Sequence, residues 1–169
     1  MWSDCHSLDT LTQTDWAGHP DNSRSTSGYT FHLGNSLVSW ASKTQPQQAT
    51  SSTHAEYIAC YQATSECTWI RNLLDELGLL DNTKPTVLFC DNEAAIKIAN
   101  YHMVTPRSKH FDTKLHFIRE KIESGEMAIS FCRGNDNVAD MFTKPLPKTK
   151  FAEYRDILGL KESPVYVKQ

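Results

Sequence analysis

Ser51-Ser52-Thr53-His54-Ala55-Glu56-Tyr57-Ile58-Ala59 opens a long amphipathic run, and its reading decides the fold. Apolar residues recur at Ala55, Ala59, Ala63, Ile70, Leu73, Leu74 and Leu77, the spacing of one buried helical stripe. Thr53 is placed to cap the helix start, and Gly78 stands where a left-handed residue would end it. Glu56 falls on the first turn beside the stripe. Thr53-x-x-Glu56 fits a capping box, in which the carboxylate bonds back to the Thr53 N–H. It equally fits an acid delivered to a site, and the positions of other isolated acids bear on the choice.

Upstream of this helix, Leu8 to Trp16 reads as a weak strand, and Gly28 to Leu33 alternates with Tyr29, Phe31 and Leu33 on one face. Gly34-Asn35 is a tight hairpin turn, and Leu37 to Ser42 returns with Val38 and Trp40 on one side. Downstream, Thr86-Val87-Leu88-Phe89-Cys90 is a continuous apolar run, as in a central strand buried on both faces. A short helix follows over Ala94 to Ala99, then a basic loop from Pro106 to His110. A third helix carries Leu115, Ile118 and Ile122 and stops at Gly125. Met127, Ile129 and Phe131 alternate in another strand. Gly134 to Asn137 turns the chain into a helix holding Val138, Asp140, Met141 and Phe142, and Pro145 and Pro147 break it. Phe151, Tyr154 and Leu158 suggest a last amphipathic helix. The order implies an α/β fold: a mixed sheet flanked by helices.

Composition excludes several classes. A chain of 169 residues, 39% hydrophobic and 22% charged, fits one soluble domain. No apolar run approaches the roughly 20 residues of a membrane span, and no membrane partner is expected. The start, Met1-Trp2-Ser3-Asp4, lacks the pattern of a signal peptide. Five cysteines form no Cys-x-x-Cys pair, and Cys60, Cys67, Cys90 and Cys132 read as reduced core residues of an intracellular protein. The net charge of −3 offers no overall attraction to nucleic acid, so any such surface must be local.

Three acids stand at element ends: Glu56 at the long helix, Asp91 after the apolar strand, Asp140 in the late helix. Strand carboxyl ends are where α/β sheets place their sites. Each acid also has a structural explanation: Glu56 as capping partner, Asp91 as cap of the helix it precedes, Asp140 as a complement to a helix dipole. Three carboxylates converging from separate segments would repel unless a cation lay among them, and oxygen-only ligation points to Mg²⁺ or Mn²⁺ rather than zinc.

Ser51-Ser52-Thr53-x-Ala55-Glu56-Tyr57, Cys90-Asp91-Asn92, Lys109-His110-x-Asp112, His116-Phe117-Ile118-Arg119-Glu120 and Ala139-Asp140-x-x-Thr143-Lys144-Pro145-Leu146 resemble motifs of one known family. So do Asp15-Trp16-Ala17-Gly18, Arg24-Ser25-Thr26-Ser27-Gly28-Tyr29 and Ser39-Trp40-x-Ser42-Lys43. Together, and in this order, they resemble the ribonuclease H domain of copia-type LTR retrotransposon polyproteins. The resemblance covers residues 8–160, preceded by a divergent segment 1–7 and followed by a tail 161–169. It implies a ribonuclease H-like fold, a five-stranded mixed sheet with three antiparallel strands, then parallel ones, flanked by helices. It implies an endonuclease hydrolysing the RNA strand of RNA–DNA hybrids, next to the reverse transcriptase domain of a parent polyprotein, in the cytoplasm, a virus-like particle or the nucleus. Glu56, Asp91 and Asp140 would be the catalytic and metal residues, with two Mg²⁺ (or Mn²⁺) ions about 4 Å apart in the substrate complex. The early glutamate argues against the integrase and transposase branch of the fold.

The departure lies at the first acid. The family places an Asp, as metal ligand, where this chain reads Gln13 in Thr12-Gln13-Thr14-Asp15. A neutral amide is a weaker ligand for a hard dication, so catalysis is expected to be impaired, or the domain to be a decayed one that binds without cutting. Asp15 is the nearest substitute as a catalytic acid, on the same strand face but roughly 6–7 Å further along. The basic residues Arg107, Lys109, His110, Lys114 and Arg119, with His116 and Lys121 beside them, are expected to contact nucleic-acid phosphates. As a charge run they equally suit a solvated helix face. No third His or Cys at a supporting spacing makes His110 and His116 a zinc site.

Overall fold

The computed structural model describes residues 8–18, 24–100 and 112–161. Five strands form one sheet: β1 (Leu8–Asp15), β2 (Thr26–Leu33), β3 (Ser36–Thr44), β4 (Thr86–Cys90) and β5 (Met127–Phe131), in spatial order β3-β2-β1-β4-β5. β1, β2 and β3 pair antiparallel, while β4 lies parallel to both β1 and β5. Four helices accompany it: α1 (Ser52–Glu76), α2 (Glu93–Asn100), α3 (Asp112–Glu123) and α4 (Lys148–Ile157). Two 3-10 turns, Gly134–Asp136 and Val138–Phe142, join β5 to α4. The expected five-stranded mixed sheet is present.

The central strand is β1, not the apolar β4, which lies one place out and is only half-buried at Val87 and Phe89. β1 buries Thr10, Thr12, Gln13 and Thr14 beside Leu8 and Leu11. Two of its threonines find partners across the sheet: Thr10 Oγ1 donates to Thr30 O at 2.7 Å and Thr12 Oγ1 to Phe89 O at 3.3 Å, while the Thr14 hydroxyl is buried without one. Buried hydroxyls with partners cost little, so a polar sequence can occupy the middle of the sheet.

Two apolar layers cover the faces. On one, Phe31, Leu88 and Cys90 pack with Tyr57, Cys60, Ala63, Cys67 and Ile70 of α1 and Leu115 and Ile118 of α3. On the other, Leu11 packs with Cys132, Val138, Ala139, Tyr154 and Leu158. Helix α1 ends as expected, with Gly78 in the left-handed region at φ +67°. Its stripe narrows toward that end: Leu73 and Leu77 are exposed, and Arg71 is buried instead, donating to Thr86 Oγ1 at 3.0 Å. The expected helix around Asp140 is a tighter 3-10 turn, and of the last helix's apolar residues Phe151 is exposed while Tyr154 is buried.

The segment Val138–Phe142 lies close on β2 because residue 28 is glycine. A Cβ there would stand 2.8 Å from Thr143 Cγ2, shorter than real Cβ contacts, and 3.0 Å from Ala139 O, tighter than most. Gly28 is paired with Gln13 in the β1–β2 ladder. The glycine therefore lets the turn bearing Asp140 settle beside the strand bearing Gln13.

Candidate active site

Helix α1 is capped by Ser51, whose Oγ accepts from the His54 N–H at 3.1 Å. Thr53 is not the cap, and Glu56 is not its capping partner. With the N-terminus already satisfied, Glu56 turns inward and is 6% exposed. Its Oε1 accepts from the Thr14 N–H of β1 at 3.1 Å, and the Cys90 thiol lies 4.0 Å from Oε2. Glu56, Cys90 and Asp91 offer ligand atoms all within 4.8 Å of one another. The same logic frees Asp91. The cap of α2 is Asn92, whose Oδ1 accepts from the Ala95 N–H at 3.0 Å, so the Asp91 carboxylate is left at the carboxyl end of β4.

Asp91, Gln13 and Asp140 line one cleft of about 610 Å³, with Arg133, Lys144 and Lys150 on its walls. Glu56 stays behind that wall, joined to it through Asp91. Asp140 is 4% exposed, and its Oδ1 is buried without a hydrogen bond, its charge met by Lys144 Nζ at 2.9 Å. Thus three acids from α1, the end of β4 and a late 3-10 turn converge.

Burial first, and repulsion second, mark the acidities of Glu56 and Asp91. Burial, followed by the Cys90 and Asp91 groups, holds the Glu56 carboxyl well above the usual range, with Asp140 adding to it and the Thr14 N–H opposing. Asp91 is also raised, by burial and by Asp140, against a hydrogen bond from Gln13 that lowers it. These are the shifts of carboxylates gathered with too little positive charge.

Gln13 occupies the place where the family's first Asp was expected, 6% exposed beside Asp91 and Asp140. Its orientation follows from Asn137, which is fully buried. Asn137 Oδ1 accepts from the Ala139 N–H at 3.1 Å, so its Nδ2 donates to Thr12 O at 2.7 Å and to Gln13 Oε1 at 3.1 Å. The Gln13 oxygen is thereby used, and its NH₂ faces the Asp91 carboxylate. The side chain offers the site a donor, not a ligand oxygen.

Asp15 does not line the cleft; its carboxylate packs against Gly18 in the turn after β1. Strand spacing places it too far along to substitute for residue 13. Of the expected phosphate-contacting residues, Arg107, Lys109 and His110 lie outside the described residues. Arg119 is buried and donates to Ile98 O at 2.8 Å, tying α3 to α2 rather than facing a ligand. Lys114 is half-buried with its ammonium 5.5 Å from the centre of the Tyr61 ring. The cations that line the cleft, Arg133, Lys144 and Lys150, are not among the phosphate contacts expected from sequence, although Lys144 belongs to the motif that carries Asp140. Their signal was position, flanking Asp140 in the chain, rather than clustering.

Among the described residues the ligand atoms that gather within 4.8 Å are those of Glu56, Cys90 and Asp91; Asp140 lies outside that group, its Oδ1 paired with Lys144, and would join a cation only through the cleft it shares with Asp91. The donor set falls one ligand short at Gln13. Cysteines 60, 67, 90 and 132 are free and buried, and no described helix is long and apolar enough to cross a membrane.

No family model matches the chain. It is 38% identical over 158 residues, 94% of its length, to the retrovirus-related Pol polyprotein from transposon RE1 of Arabidopsis thaliana. It is 38% identical over 88% of its length to the corresponding polyprotein from transposon TNT 1-94 of Nicotiana tabacum. The chain spans 11% of the length of each of these relatives. Among solved structures, LC11-RNase H1, isolated from compost, matches 82% of this chain and 93% of its own with a TM-score of 0.60 at 18% identity. The same enzyme in complex with an RNA/DNA hybrid matches with a TM-score of 0.58.

Proposed function

We propose, from the premise that this chain is a ribonuclease H-fold relative of one segment of transposon Pol polyproteins, that it is a divalent-cation-dependent endonuclease acting on the RNA strand of RNA–DNA hybrids, slowed by Gln13. The observation that carries this reading is the meeting of Asp91 and Asp140 at one cleft, with Glu56 behind Asp91, walled by Arg133, Lys144 and Lys150. Carboxylates facing cations suit a phosphodiester, which needs its charge met where it is attacked. A hybrid bound to a protein of similar fold supports the choice of substrate. The relatives support a place within a Pol polyprotein, and we read that place as beside a reverse transcriptase domain, inside the cell.

Glu56, Asp91 and Asp140 would hold Mg²⁺ or Mn²⁺, which when bound supplies an activated water and offsets charge on the leaving oxygen. The chain's own groups do the rest. Arg133, Lys144 and Lys150 place the phosphate, and the Thr14 N–H fixes Glu56. Asn137 fixes the Gln13 amide, which holds Asp91 at the price of one ligand oxygen.

The test is hydrolysis of a labelled RNA–DNA hybrid with and without Mg²⁺. Cleavage is expected only with the cation. It should fall at least about 100-fold in Asp91→Asn or Glu56→Gln, on the scale of losing a group that stabilises the transition state, and rise at least about tenfold in Gln13→Asp. Cleavage that survives both acid substitutions overturns the assignment. Gln13 also favours a second reading, a domain that binds hybrids without cutting, which the assay would reveal as binding with no cleavage until Gln13→Asp.

A further inference from the structure

We propose that Lys144 is a parked counter-ion: in the ion-free protein its ammonium holds Asp140, where it competes with a divalent cation, and once displaced it serves the phosphate of a bound strand. This rests on the reading of the cleft as a phosphodiester site.

The local chain builds the contact. The Thr143 and Lys144 N–H groups both donate to Asp140 O, at 3.1 and 3.2 Å, closing a turn that returns the Lys144 side chain over Asp140. Pro145 follows and lacks the N–H to prolong the helix. Lys144 Nζ then stands 2.9 Å from Asp140 Oδ1, a buried oxygen that no other described group hydrogen-bonds. That oxygen is the atom a cation would take, and the ammonium now occupies its open side.

The two partners differ in freedom. The Asp140 side chain is 6% exposed and fixed, whereas the Lys144 side chain is 41% exposed and lines the cleft. Rotating the lysine away therefore loses little packing. Lys150 on the same wall is held differently, donating to Asn135 Oδ1 at 3.2 Å and lying 5.1 Å from the centre of the Tyr154 ring. A dication at Asp140 would repel Lys144 at contact distance, and with Asp91, the other carboxylate that Lys144 acts on, turned to the same ion, the phosphate of a bound strand would be the anion left for it.

The experiment titrates Mn²⁺ calorimetrically into the ion-free protein and into Lys144→Met and Lys144→Arg. It then measures hybrid affinity with Ca²⁺ present. Lys144→Met is expected to bind Mn²⁺ about two- to fivefold more tightly, the range set by freeing one partly exposed ion pair. Lys144→Arg, which keeps the charge, should stay near the parent. Lys144→Met should also bind the hybrid several-fold more weakly, with a salt dependence shallower by about one ion. Unchanged or weaker Mn²⁺ binding in Lys144→Met overturns the proposal, as does unchanged hybrid affinity or no Mn²⁺ binding in any variant. A protein that never cleaves hybrids defeats the nuclease reading while the Mn²⁺ comparison still reports on Lys144. A cleaving protein whose Mn²⁺ affinity ignores Lys144 defeats this proposal alone.

Discussion

Gln13 and Glu56 divide the site's electrostatics between them. Gln13 brings a donor to Asp91 where a carboxylate was expected, while burial holds the Glu56 carboxyl well above its usual range. A carboxyl held above its ordinary pKa binds its proton more tightly in the folded chain than in the unfolded one. The stability it contributes is complete below the unfolded value, about 4.3 for Glu, and is lost as pH rises through the raised folded value. At pH 8, far above the unfolded value, the ion-free protein therefore bears the cost of burying a group that the unfolded chain ionises freely. Glu56→Gln removes that cost, and its amide oxygen can still accept from the Thr14 N–H. Thermal unfolding without divalent cation should give the variant a higher Tm at pH 8, by about 2–4 °C for each kcal/mol relieved, and no advantage near pH 4. Added Mg²⁺ should raise the parent's Tm more than the variant's. An equal or lower Tm for the variant at pH 8 would contradict this account of Glu56.

The elements show where sequence patterns carry and where they do not. Helix α1, the Gly34-Asn35 hairpin and β4 were legible because periodicity and turn chemistry speak locally. The rank of β1 was not, because a threonine-rich strand reads as polar until its hydroxyls find Thr30 O and Phe89 O across the sheet. The caps misled for a related reason. Ser51 and Asn92, each one or two residues from the favoured choice, took the capping bonds and released Glu56 and Asp91 for the site. Two acids that local rules would have explained away are thus free because their neighbours do the local work. The Asp140 turn depends on Gly28, and Gly28→Ala tests that dependence. The added methyl meets Thr143 and the Ala139 carbonyl, and overpacking of this kind costs about 1–3 kcal/mol. Thermal unfolding should show the corresponding fall in Tm, and hybrid cleavage should fall with it as Asp140 is pushed from Asp91. An unchanged Tm would mean that the turn does not need the close approach.

Across the whole molecule, a net charge of −3 hides a local reversal, because three cations gather on the cleft that holds the acids. The sequence directed attention instead to the longer basic run from Arg107 to Lys121. There Arg119 is consumed by α2 and Lys121 by Glu126 at 3.0 Å. Density of charge in the chain is a poor guide when a helix turns half of it inward. If Arg133, Lys144 and Lys150 meet backbone phosphates, hybrid affinity should fall with salt at a slope of about −2 to −3, near −0.9 per contact. Lys150→Ala should make the slope shallower by about one, as read from binding titrations over a range of salt, and an unaltered slope would remove Lys150 from the surface. The claim on which the rest depends is that Glu56, Asp91 and Asp140 serve a single cation site. Crystals soaked in Mn²⁺ test it directly through anomalous scattering: the account predicts a peak within about 2–2.5 Å of carboxylate oxygens of Asp91 and Asp140, with Lys144 displaced. A peak elsewhere, or none at the three acids under saturating Mn²⁺, would contradict it.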